Sequence, residues 1–185
     1  MDDDKEKVLG EIILYLGGAK SGKTKAALET CQTYPPPRFY LATAQALDDE
    51  MDKRIQNHRA ERGPDWRTVE EPIDLCSALA SIPSESPVLL DCLTLWFSNL
   101  MGQSPDSGLS DGPEGVLVLV DKLSQVALAR GGPTIIVSND VGGGIVPMDR
   151  VSRFFRDLSG LAHQRLAAEA SKVFMVNAGL SWKLK

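Results

Sequence analysis

Gly17-Gly18-Ala19-Lys20-Ser21-Gly22-Lys23-Thr24 fits the pattern GxxxxGK(S/T), with Gly17, Gly22, Lys23 and Thr24 at its fixed places. The pattern recurs by chance, so its flanks carry the weight. Upstream, Glu11-Ile12-Ile13-Leu14-Tyr15-Leu16 is a short apolar run, as in a strand buried on both faces. Downstream, Lys25-Ala26-Ala27-Leu28-Glu29-Thr30-Cys31 is built mostly from good helix formers. Strand, glycine-rich turn and helix are the context that a phosphate-binding loop requires. A plain connecting turn is the competing reading, and it leaves the GK(S/T) run unexplained.

Each residue type has a physical reason. A phosphate chain must lie close to the main chain, which favours Gly17, Gly18 and Gly22. The N–H groups of the loop, through Ala19, Lys20 and Ser21, then form a concave nest. The helix that begins near Lys23 points its positive dipole end at the anion. Lys23 adds a mobile charge for the outer phosphates, and the Thr24 hydroxyl is placed to ligate Mg²⁺.

A chain of 185 residues with 43% hydrophobic and 24% charged residues is that of a globular protein with a sizeable core. Its net charge of −5 argues against a general nucleic-acid binder. No stretch approaches the ~20 apolar residues that span a bilayer, and no secretory signal opens the chain. Residues 1–10 read as a flexible polar leader, and 11–185 as a single nucleotide-binding catalytic domain. Cys31, Cys76 and Cys92 are widely spaced and odd in number, so they suit a reducing, cytoplasmic setting as small buried hydrophobes.

Further along, 38–44 reads as a second strand whose small Ala42, Thr43 and Ala44 are candidates for nucleotide contact at its carboxyl end. Residues 47–62 read as a helix with an apolar stripe, Leu47, Met51 and Ile55, that continues into His58. Arg54 and Arg62 lie one turn to either side. An exposed, solvated face is one reading. The other is a phosphate-handling site, in which a neutral imidazole attacks phosphorus and guanidinium groups stabilise the oxygens.

Residues 66–72 read as a short strand leaving Glu70 at its end, and 73–82 as a helix with Leu75, Leu79 and Ile82 inward. The run Pro87-Val88-Leu89-Leu90-Asp91 closes a buried strand with an acid, the pattern by which Asp91 would help hold Mg²⁺ opposite Thr24. A helix cap is the alternative role for Asp91. A helix starts at Leu93, and 101–115 reads as a mobile loop. Residues 116–130 are helical in pattern, and 134–139 form a buried strand. The glycine run in 140–147 suits either close backbone approach to a ligand or a flexible connector. Residues 151–170 read as a long helix with Phe154, Phe155, Leu158, Leu161 and Leu166 inward and His163 at its surface or at an interface. The stretch 173–185 reads as an antiparallel hairpin. Strands alternating with helices imply a mostly parallel sheet with helices on both faces.

These residues resemble the bifunctional adenosylcobinamide kinase / adenosylcobinamide-phosphate guanylyltransferase family of cobalamin biosynthesis. The resemblance runs over 12–185 through GGAKSGKT, LATAQALDDEM, RIQNHR, WRTVEEP, LLDCLTLW, SNDVGGGIVP and FRDLSGLAHQRLA. The loop is widely shared, whereas the combination of DDEM, RIxxHR and NDVGxGIVP is specific. The resemblance implies a RecA-like P-loop fold, a homotrimer and two reactions. One phosphorylates the terminal hydroxyl of adenosylcobinamide from ATP or GTP. The other transfers GMP from GTP to that phosphate through a histidine phosphoramidate, for which His58 is the matching position. It also implies nucleotide contacts at the loop, at Ala42, Thr43 and Ala44, at Arg59, Ala60, Glu61 and Arg62, and at Glu70 and Asp91, with Lys23 and His58 catalytic. The chain departs from relatives at Asn57, where some carry a second histidine, at Asp140, where some carry Glu, and in the looser 177–182. A single-activity small-metabolite kinase and a nucleotide-dependent switch are the rivals; the lack of an NKxD motif weighs against a GTPase switch.

Overall fold

The computed structural model describes residues 10–44, 63–103 and 112–185. The helix expected over 47–62 lies outside them, and so do His58, Arg59, Ala60, Glu61 and Arg62.

In chain order the elements are β1 (Ile12–Gly17), α1 (Lys23–Gln32), β2 (Arg38–Ala42), β3 (Trp66–Glu70), α2 (Leu75–Ser81), β4 (Val88–Asp91), α3 (Leu93–Gln103), α4 (Glu114–Leu128), β5 (Thr134–Asn139), α5 (Arg150–Glu169), β6 (Lys172–Asn177) and β7 (Leu180–Lys183). They build one seven-stranded sheet in the order β3–β2–β4–β5–β1–β6–β7. Every neighbouring pair is parallel except β6 and β7, which form the expected antiparallel hairpin.

Side chains on a strand alternate between faces, so an all-apolar strand needs cover on both. On one face Ile12, Leu14 and Leu16 of β1 join Leu41, Leu90 and Ile136 in the larger core, covered by α2, α3, α4 and α5. On the other, Ile13 and Tyr15 join Tyr40, Leu89 and Val137 beneath Ala27 and Cys31 of α1. Each buried Ile or Leu contributes about 1.5–3 kcal/mol. All three cysteines are buried and free, as their spacing suggested.

Some boundaries move for identifiable reasons. The Asp74 carboxylate caps α2 by accepting from the Ser77 N–H, and Asp149 caps α5 by accepting from Ser152, so both helices start where an acid can hold an end N–H. Residues Met101 to Gln103, expected to open a loop, continue α3, because Met101 packs into the core. Leu161, expected inward on α5, is exposed; Ala162 takes the inward place beside Leu158 and Leu166.

Candidate active site

The phosphate loop leaves β1 at Gly17 and enters α1 at Lys23. Gly17 can only be glycine, because a Cβ there would meet the Val176 carbonyl oxygen at 2.3 Å. Gly22 caps α1 at φ 96°, a left-handed conformation that other residues resist. Gly18, Ala19 and Lys20 form the exposed crest of the loop. Ser21 is buried behind them, and its Oγ has no hydrogen-bond partner among the described residues.

Lys23 is only 7% exposed, and its Nζ donates to the Gly18 carbonyl oxygen at 2.9 Å. Its chain thus folds back along the inside of the loop. Burial holds the ammonium below its ordinary pKa, and the neighbouring Asp91 charge opposes that shift. One residue on, the Thr24 Oγ1 donates to the Asp91 Oδ2 at 3.0 Å. The same oxygen accepts from the Tyr40 hydroxyl at 2.9 Å. Loop threonine and strand-end aspartate therefore meet as the pattern predicted. Tyr40 is the partner that sequence reasoning missed. Strand alternation carried the signal, since Tyr40 and Ala42 share the α1-side face of the sheet.

The other expected contacts divide. Ala42 is in register with both Asp91 on β4 and Glu70 on β3, so three strands present these residues in one row at their carboxyl ends. Gly17 ends β1 in register with Asn139 on β5. Glu70 lies four strand spacings from Gly17, about 19 Å along the sheet, so it is not part of the phosphate cradle itself. Thr43 is fully buried, and its hydroxyl donates to the Cys92 carbonyl at 2.8 Å while accepting from the Cys92 N–H at 2.9 Å. That hydroxyl ties β2 to the end of β4. Ala44, just beyond the carboxyl end of β2, is half-buried.

Other supports were invisible in the sequence. The Asn139 amide donates to Thr94 Oγ1 at 2.7 Å, which joins the ends of β5 and α3. The Asn99 amide donates to the carbonyls of Thr43 and Pro72, at 2.9 and 3.1 Å. At the hairpin turn, the Gly179 N–H donates to the Ser21 carbonyl at 2.8 Å and so braces the phosphate loop from below. His163 is also tied down, with its Nε2 2.7 Å from the Ser138 Oγ on β5. Of the two places expected for it, helix surface or interface, it takes the second, as a half-buried bridge between α5 and the sheet. Burial lowers its pKa, and Asp140 pulls the other way.

The chemistry of the cradle is narrow: main-chain N–H groups at a helix start, a buried ammonium, and a hydroxyl and a carboxylate side by side. It suits a phosphate chain with a hard divalent cation.

Known proteins agree with this geometry. Solved structures of P-loop ATPases share the fold at low identity. A prototypical ATPase from the type III secretion system of pathogenic bacteria aligns with a TM-score of 0.56 and 14% identity over 95% of this chain. The assembled type III secretion ATPase EscN from enteropathogenic E. coli aligns with a TM-score of 0.60 and 15% identity over 94% of it. The chain spans about half the length of each, 57% and 48%. The sheet is therefore that of a RecA-like P-loop NTPase. Closer in sequence, the bifunctional adenosylcobalamin biosynthesis protein CobP of Pseudomonas aeruginosa is 40% identical over 173 residues, covering 93% of this chain and 96% of that protein. The proteins named CobU from Salmonella typhimurium and Escherichia coli are each 38% identical, over 94% of this chain and 99% of theirs. The model of the family described as cobinamide kinase / cobinamide phosphate guanyltransferase matches residues 13–184, from the first strand through the last. With the phosphate cradle intact and the match running the length of the domain, the chain belongs to the cobinamide kinase / cobinamide phosphate guanyltransferase family.

Proposed function

We propose that this one domain catalyses two transfers in sequence: phosphorylation of the terminal hydroxyl of adenosylcobinamide by ATP or GTP, then transfer of GMP from GTP to the phosphate just made. Family membership makes the chain a transferase with kinase and guanylyltransferase chemistry. The observation that carries the reading is the cradle in which Lys23 lies along the loop and Thr24 meets Asp91.

In the first step the acceptor hydroxyl oxygen attacks the γ-phosphorus. The bond from that phosphorus to the β–γ bridging oxygen breaks, the nucleoside diphosphate leaves, and the hydroxyl proton passes to solvent. Little covalent help is needed from the protein, so positioning and charge do most of the work. The loop N–H groups orient the phosphate chain, and Lys23 exchanges its contact with the Gly18 carbonyl for phosphate oxygens. Thr24 and Asp91 offer hard oxygen donors, which fits Mg²⁺; when bound, it would neutralise charge on the phosphate oxygens. No cluster of three or more His, Cys, Asp or Glu occurs among the described residues, and a magnesium held mainly by phosphate and water requires none.

In the second step a ring nitrogen of His58 attacks the α-phosphorus of GTP, and pyrophosphate leaves. An oxygen of the acceptor phosphate then attacks the same phosphorus, the phosphorus–nitrogen bond breaks, and adenosylcobinamide-GDP forms. Arg54, Arg59 and Arg62 on the same stretch supply positive charge for the oxygens and keep the imidazole neutral. Ala42, Ala44, Ala60, Glu61 and Glu70 are assigned to the nucleoside on the family resemblance. The same resemblance supports a cytoplasmic homotrimer, and the exposed Leu180 and Trp182 of β7 are apolar surface that a second copy would cover. No helix among the described residues is long and apolar enough to cross a membrane.

GTP labelled on its α-phosphorus tests the reading. The wild type should acquire an acid-labile, base-stable label and pass it to adenosylcobinamide phosphate. His58→Ala should lose labelling and GMP transfer while the kinase step survives. A labelled His58→Ala protein refutes the histidine assignment, and a wild type that phosphorylates cobinamide but never labels is a single-activity kinase.

A further inference from the structure

A cavity of about 530 Å³ opens between α3, the loop 140–149 and the first turns of α5. Met101, Val141, Val151 and Phe155 give it apolar walls, with Ser98 at one side and Arg156 at another. None of these residues belongs to the phosphate cradle.

Its position gives it a role. Asn99, next to Ser98, bonds the Thr43 carbonyl at the carboxyl end of β2, so this part of α3 lies across the carboxyl edge of the sheet. Asp140, next to Val141, donates its N–H to the Gly17 carbonyl oxygen at 3.0 Å. The cavity therefore starts one strand away from the phosphate loop, on the edge where open α/β sheets hold their ligands. A kinase needs a second site there, because the acceptor hydroxyl must come within attack distance of the γ-phosphorus.

The lining has the wrong chemistry for a second nucleotide and the right one for a large amphipathic ring. Next in the chain to Pro147 of the lining, Val146 is 57% exposed and Met148 97%, and Ile145 is also 97% exposed. Such apolar exposure marks a surface that something covers. The loop is also fastened: Arg153 Nη1 donates to the Pro147 carbonyl at 2.9 Å and to that of Met148. Arg156 stands at the cavity wall with its guanidinium 3.3 Å from the Asp157 carboxylate.

Resting on the function proposed above, we propose that this cavity and the loop over it form the corrinoid acceptor site. One edge of the macrocycle lies against Met101, Val141, Val151 and Phe155. The cavity is within the usual range for a small-molecule pocket, about 300–1,000 Å³, and too small to engulf a whole corrinoid, so Ile145 and Met148 cover the rest of the ring face. Arg156 favours the phosphorylated acceptor over the free alcohol by charge.

Equilibrium dialysis with cobinamide and with nucleotide, and kinase turnover, test this on the full chain. Ser98→Trp fills the cavity and Val151→Asp puts a charge on its apolar wall at a half-exposed position. Both should weaken cobinamide binding about tenfold or more while nucleotide affinity stays within about twofold. Arg156→Gln should weaken cobinamide phosphate more than cobinamide. Unchanged cobinamide affinity in both Ser98→Trp and Val151→Asp overturns the site. The same unchanged affinity with a shift to smaller species in sedimentation assigns the face to contact between copies instead. A wild type that neither binds nor phosphorylates cobinamide removes the function itself, an outcome distinct from variants that fail to respond.

Discussion

Lys23 keeps its ammonium in a place that water barely reaches, where it donates to the Gly18 carbonyl oxygen 2.9 Å away. Replacing it removes a charge-assisted contact, worth about 1.5–3 kcal/mol, so Lys23→Ala should raise the nucleotide Kd roughly 10- to 100-fold in both reactions by calorimetry. His163 makes a different demand. Burial holds its folded pKa below the unfolded value near 6.5, so the unfolded chain binds the proton more readily. Stability should therefore be full above about pH 6.5 and fall as the pH drops below it. In His163→Gln, urea unfolding should lose most of the pH dependence between about pH 5 and 6.5 while the side chain can still bond Ser138. At this scale Lys23, Thr24 and Asp91 were legible because fixed offsets from a strand and a helix decide where they point. Strand alternation could give the face that Tyr40 takes, but neither its bond to Asp91 nor that of His163 to Ser138 could be read, since each depends on an element far away in sequence. His58 lies outside the described residues, and its role rests on the motif alone.

Between β1 and α1 the loop is held from two sides, by its own helix and by the β6–β7 turn. Ala178 and Gly179 take φ values of 51° and 79°, the double positive turn that matches the twist of a two-residue hairpin. That turn presents the Gly179 N–H to Ser21, and a Cβ on Gly22 would stand 3.2 Å from the Gly179 Cα. Gly22→Ala must thus accept a left-handed backbone, about 1–2 kcal/mol, and push the turn away. It should lower the unfolding free energy by about 2 kcal/mol and weaken nucleotide binding, read from urea midpoints with and without GTP. A midpoint equal to wild type would show that the turn yields freely. The hairpin itself could be read from its short strands and tight connection. Its contact with the loop could not, because Ser21 and Gly179 share no local pattern. The same limit applies to Met101: a stretch rich in Gly, Ser and Pro reads as a loop, and only the core that receives Met101 extends the helix.

Across the whole molecule the alternation of apolar strands and amphipathic helices announced a mostly parallel sheet, and the sheet is mostly parallel. Strand order was beyond reach, because it is set by which crossovers pack and not by any one segment. The order puts β1 between β5 and β6, so the nucleotide loop is anchored in the middle of the domain's core. Ligand binding there should stabilise the entire fold. At 100 times the Kd, GTP should add about 2.7 kcal/mol, or roughly 5–10 °C in Tm for a chain of this length. Lys23→Ala at the same concentration should show much less of that shift by differential scanning calorimetry.

One flank of β1 is supplied by β6, whose segment follows Ser171, and the brace beneath Ser21 by a turn close behind it. A nascent polypeptide that has left the ribosome only as far as residue 170 displays the entire glycine-lysine motif and lacks both supports. The loop can then gain its full support only late in synthesis, once β6 has paired with β1 and the turn has reached Ser21.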